Sequence, residues 1–111
     1  MGASLIDDAV FGELQETAGA DFVGELVGTF AEEAPAMLAA LREALAAGAA
    51  DAFRRQAHSL KSNASTFGAS ALAEQARALE LGGLPADAAP LQVLERACAE
   101  ALAALQERVR G

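Results

Sequence analysis

Tryptophan and tyrosine are absent from this chain of 111 residues, histidine and cysteine occur once each, and acidic residues outnumber basic ones by 16 to 8. Each scarcity narrows the function. The formal charge of -8 argues against nucleic acid, because a duplex binder needs a basic surface to displace counterions from the phosphates. It argues equally against anionic membranes. The one cysteine, Cys98, has no intramolecular disulfide partner and falls at an apolar helical position, so buried packing and a reducing, cytoplasmic location are expected. One histidine and one cysteine, without a paired Glu-x-x-His pattern, do not furnish the usual helix-bundle metal site, so no metal is expected. No stretch approaches the ~20 apolar residues of a membrane span. The start, Met1-Gly2-Ala3-Ser4-Leu5-Ile6-Asp7-Asp8, has no basic region followed by an apolar run, so no targeting segment is expected. A glycine-rich phosphate loop, a strand-borne lysine and a set of magnesium-binding carboxylates are also missing. The chain is therefore not expected to be its own kinase.

What is present is alanine, the best helix former, within a sequence that is 53% hydrophobic. The length fits a single domain spanning 1–111. Residues 7–18 start at Asp7 and Asp8 and place Val10, Phe11 and Leu14 on one side, as in a short amphipathic helix that Gly19 ends. A second helix is expected from Asp21, read as its N-cap, through Phe22, Val23, Leu26, Val27 and Phe30, then Met37, Leu38, Leu41 and Leu45. Pro35 interrupts this pattern without shifting its phase, which predicts one long helix kinked there and closed by Gly48. A third helix, with Asp51 as expected N-cap, carries the stripe Phe53, Ala57, Leu60, Ala64 and Phe67. Gly68 follows, and Ser70 begins a fourth helix with Leu72, Ala76 and Leu79 inside, ending at Gly82-Gly83. A last helix from about Asp87 to Val109 repeats apolar residues at Leu91, Leu94, Cys98, Ala101, Leu102, Leu105 and Val109. No strand pattern occurs. The fold class is thus all-α: an antiparallel, up-down-up-down four-helix bundle with a short additional N-terminal helix over one end.

His58 follows core residue Ala57 by one position and so points about 100° away from the buried stripe, toward solvent. Its face also carries Lys61, Ser62 and Ser65 at i+3, i+4 and i+7, with Arg54 and Arg55 one turn before. Individually these are ordinary surface residues. Together they make a basic, small-residue strip around a nucleophile, because a neutral imidazole is available near pH 7 when the ordinary histidine pKa is about 6.5. It can attack an acyl phosphate. The product carries close to two negative charges, and an ammonium one helical turn away can move to the phosphoryl oxygens. Small neighbours leave the approach open to a partner.

The segment Ala57-His58-Ser59-Leu60-Lys61-Ser62-Asn63-Ala64-Ser65-Thr66-Phe67-Gly68-Ala69 resembles the signature of histidine-containing phosphotransfer (HPt) domains. The resemblance extends over nearly the whole chain, through Phe22 and Phe30 before Pro35, Leu41 to Gly48, and Leu72 through Leu79-Glu80. It implies that His58 is phosphorylated, that Lys61 assists the phosphoryl group, and that Arg55, Ser62, Ser65 and Gly68 lie on the face that docks a partner. Serine at position 62 departs from the glycine often found there. Glu80 falls near a polar position on the neighbouring helix; a carboxylate repels a phosphoryl group, so a solvated charge or a salt bridge is expected of it. The implied function is that of a phosphorelay intermediate in two-component signalling, a phosphocarrier and not a kinase. His58 would take the group from one receiver-domain aspartate and pass it to another. Partners would be response-regulator receiver domains, a hybrid histidine kinase, or both, with Mg²⁺ arriving on the receiver and the chain itself a monomer. The alternative is a bundle adaptor that binds a receiver or kinase without carrying phosphate.

Overall fold

The computed structural model describes residues 5–110, so the ends of the expected 1–111 domain, including Met1 to Ser4, lie outside the described residues. Five helices are present and no strand occurs among the described residues: α1 (Asp8–Ala18), α2 (Ala20–Ala47), α3 (Ala50–Thr66), α4 (Ser70–Gly82) and α5 (Ala89–Arg110). The four longer helices, α2 to α5, joined by short connections, form the expected antiparallel bundle. α3 packs most extensively on α4, α2 lies against α3 and α5, and α1 crosses one end against α2 and α3. Twenty-eight residues in α2 correspond to about 42 Å of helix at 1.5 Å per residue. The molecule's longest dimension is 41 Å, so this one helix sets its length.

Local chemistry explains most helix ends. Asp7 caps α1, its Oδ1 accepting from the amides of Ala9 and Val10 at 3.0 and 3.2 Å. Gly19, at φ 92°, both ends α1 and precedes α2. Two expected caps are corrected. Asp21 and Asp51 lie inside the first turns of α2 and α3, which begin at Ala20 and Ala50 with no side-chain cap. There each carboxylate faces the positive end of the helix dipole instead. α2 runs continuously through Pro35, which is on an exposed face; the backbone donor it lacks is thus missing on the solvent side. Gly48 closes α2 at φ 67°, and the amide of Ala49 returns to the carbonyl of Ala44 at 2.8 Å.

The core follows the expected stripes with small shifts. Phe53, Ala57, Leu60, Ala64 and Phe67 are all buried, as are Leu91, Leu94, Cys98, Ala101 and Leu105 of α5. Phe30 of α2 stacks on Phe67, with ring centroids 5.6 Å apart. Phe22 departs from its expected inward position and is half exposed. The inward stripe of α2 passes instead through Val23, Val27, Phe30, Ala34, Leu41 and Ala44, and a residue adjacent to Val23 is turned about 100° away from it. Val109 also lies toward the surface at the end of α5.

Candidate functional site

The floor of the site is made by small residues. Ala57 and Ala64 of α3 and Ala76 of α4 are fully buried, and short side chains at a helix contact let the axes approach closely. A carboxylate near the end of α4 consequently reaches a ring on α3. Glu80 Oε2 lies 2.8 Å from His58 Nδ1, and Glu80 Oε1 lies 2.9 Å from Lys61 Nζ. The side chain of Glu80 is 12% exposed, that of Lys61 27% and that of His58 55%. The carboxylate is the base of the cluster and the imidazole its mouth.

Charge assigns the ring's proton. The Lys61 ammonium foremost, and then the His58 ring, hold the Glu80 carboxyl below the usual glutamate range, with burial opposing them. An ionised carboxylate accepts hydrogen bonds and has no proton to give, so Nδ1–H is the donor. In the neutral ring this leaves the lone pair on Nε2, the nitrogen not engaged by Glu80. The carboxylate therefore does more than the salt bridge expected of it: it bridges the histidine and the lysine and fixes the tautomer. The chain's one lysine falls one turn after its one histidine, a signal visible in the sequence; the matching carboxylate comes 22 positions later, across a helix contact that only packing defines.

The remaining expected site residues divide. Ser62 and Ser65 are exposed on the His58 face of α3. Arg55 is exposed but lies 3.6 Å from Asp51 Oδ2, while Arg54 donates to Asp51 Oδ1 at 2.8 Å. Asp51 is held below the usual aspartate range by Arg54 first and Arg55 next. The basic strip is thus partly neutralised from within its own first turn. Gly68 requires a correction. It is buried, its φ of +77° demands the left-handed region, and a Cβ there would sit 2.9 Å from the backbone oxygen of Asp7 and 3.1 Å from Val10 Cβ. Its carbonyl accepts from the Asp7 amide at 2.7 Å. Gly68 is covered by the chain's own N-terminal helix and offers no surface to a partner.

Beside the cluster, Leu81 is the most exposed of the large hydrophobic residues, at 67%. It lines a shallow groove with Ala50, Asp51, Arg54, Glu80 and Gly83, which sequence periodicity did not single out because Leu81 lies off the inward stripe of α4. Among the described residues no group of three or more His, Cys, Asp or Glu side chains is placed to hold a metal ion. No helix among them is long and apolar enough to cross a membrane.

The Hpt domain family model matches residues 25–108. The crystal structure of histidine-containing phosphotransfer protein B (HptB) from Pseudomonas aeruginosa PAO1 is similar to this chain, with a TM-score of 0.88 and 31% sequence identity, over 98% of this chain and 97% of that one. No match is found among curated protein sequences.

Proposed function

This chain belongs to the Hpt domain family, which gives it a phosphotransfer role in two-component signalling, and on that premise we propose that His58 is the phosphoryl-carrying residue. The observation that carries the reading is the half-exposed imidazole whose Nδ1 is held by Glu80, leaving Nε2 to an incoming partner. The Nε2 lone pair attacks the phosphorus of a receiver's aspartyl phosphate; the N–P bond forms, the acyl O–P bond breaks, and the aspartate leaves as a carboxylate. Nδ1 keeps its proton throughout. The positive charge that develops on the ring then faces an anionic carboxylate 2.8 Å away, which favours the phosphorylated ring electrostatically. Passing the group to a second receiver reverses each change, and a ring still protonated on Nδ1 departs as neutral imidazole.

Receiver domains supply the Mg²⁺ for in-line transfer, and Ser62, Ser65 and Arg55 meet them on the exposed face of α3. Hybrid histidine kinases carrying such a receiver are partners of the same kind. The protein acts in the cytoplasm, a reading with which the free thiol of the buried Cys98 agrees, and as a monomer, and it moves phosphoryl groups without making them from ATP.

Incubation with a phosphorylated receiver domain tests this. An acid-labile, alkali-stable label that disappears in His58→Gln is the expected result. Receiver binding without label would instead establish the adaptor role.

A further inference from the structure

The only lysine in the chain is already engaged when His58 is unmodified. Its ammonium lies 2.9 Å from one oxygen of Glu80 while the other oxygen of that carboxylate holds the histidine ring at 2.8 Å. The nearby guanidinium groups are turned to Asp51. A phosphoryl group on Nε2 must therefore draw its cation from Glu80. We propose that Glu80 is a positioning residue that competes with the phosphoryl group for Lys61, so that the lysine occupies two stations: the carboxylate when His58 is unmodified, and the phosphoryl oxygens when Nε2 is phosphorylated. The inference rests on the phosphocarrier reading and adds a charge exchange to it.

Three physical facts favour the exchange. The lysine stem is flexible and its ammonium carries three rotatable donors. A phosphoryl group offers close to two negative charges against the single charge of a carboxylate. Glu80 is not abandoned when Lys61 leaves, because forming the Nε2–P bond makes the ring cationic while its Nδ1–H still points at Oε2. One cation replaces another at the carboxylate. The consequence is that Lys61 stabilises phospho-His58 by less than a free lysine would, which keeps the phosphoryl group transferable. For a partly exposed ion pair the discount is about two- to five-fold in the equilibrium constant.

A double-mutant cycle isolates this competition from every other effect of Glu80 on the ring. The equilibrium is read with phosphoramidate as donor and ammonia as competing acceptor. Nε2 takes the phosphoryl group as the donor's N–P bond breaks and ammonia leaves, and added ammonia drives the same exchange backward. Glu80→Gln keeps an oxygen acceptor for Nδ1–H and removes the charge. Lys61→Ala is expected to lower the phosphorylation equilibrium by a factor about two- to five-fold larger in the Glu80→Gln background than in the wild type. An equal or smaller factor overturns the inference while leaving the phosphocarrier reading intact. A wild type that takes no label on His58 overturns both. Should Glu80→Gln fail to fold, the wild type alone decides: the Lys61 side-chain ¹⁵N resonance shifts on phosphorylation if the ammonium changes partner, and an unmoved resonance refutes the exchange.

Discussion

Replacing Gly68 by alanine separates two roles that a glycine ten residues after the histidine can have, contact with a partner or a tight internal turn. The residue's φ is +77°, and an L side chain held in the left-handed region costs about 1–2 kcal/mol. The added Cβ also meets the Asp7 backbone oxygen at 2.9 Å and Val10 Cβ at 3.1 Å. The first of these is backbone and cannot rotate aside. α1 must therefore lift, which strains the 2.7 Å hydrogen bond from the Asp7 amide to the Gly68 carbonyl, a bond contributing about 1 kcal/mol net. The sum is about 2–3 kcal/mol, or a fall in Tm of roughly 8–12 °C at about 4 °C per kcal/mol for a domain of this size. Gly48 provides an internal reference, since its φ is also positive, at 67°, yet nothing lies within 4 Å of a Cβ placed on it. Gly48→Ala should lose only the conformational part, about 1–2 kcal/mol. Chemical denaturation of both variants measures the difference, and phosphoryl uptake well below Tm should be that of the wild type in each. Equal losses would refute the docking of α1 on this corner. Full stability combined with lost uptake from a receiver would mean that Gly68 meets the partner after all.

Further tests address the core and the charges. Leu60 is fully buried one residue from the exposed pair His58 and Ser59, and Leu60→Ala should cost about 2–5 kcal/mol by equilibrium denaturation; a neutral result would contradict the rotational setting of α3. The bidentate pair of Arg42 with Glu95, at 2.5 and 2.8 Å, holds the Glu95 carboxyl below the usual glutamate range, the Arg42 hydrogen bond being the main cause. A depressed folded-state value means that its contribution is complete above the unfolded pKa of about 4.3 and fades as pH falls through the folded value. The stability gap between wild type and Glu95→Gln should thus be constant from neutral pH to about pH 5 and close on further acidification. A gap that widened with acid would reverse the sign of the assignment.

Periodicity by itself determined the helices, their order and the direction in which His58 points. The stripe from Phe53 to Phe67 had to face inward because those residues are the ones whose removal from water is favourable, and His58 one step from Ala57 then had to face out. Its lysine neighbour was equally fixed, since residues three apart on a helix share a face. Helix starts were less legible: Asp21 and Asp51 were good capping residues but stand two positions after the caps, Gly19 and Ala49, and the local preference of a carboxylate for an N-terminus does not distinguish the cap from the first turn.

Contacts between helices were decided only by the tertiary structure. Glu80 reaches the histidine because small alanines bring α3 and α4 close, and a sequence does not record that distance. Gly68 looked like part of the exposed surface because it follows the histidine segment, yet the fold places α1 over it. The physical reason is common to both. Spacing along a helix is fixed by 3.6 residues per turn, whereas the approach of one helix to another is set by side chains drawn from distant parts of the chain.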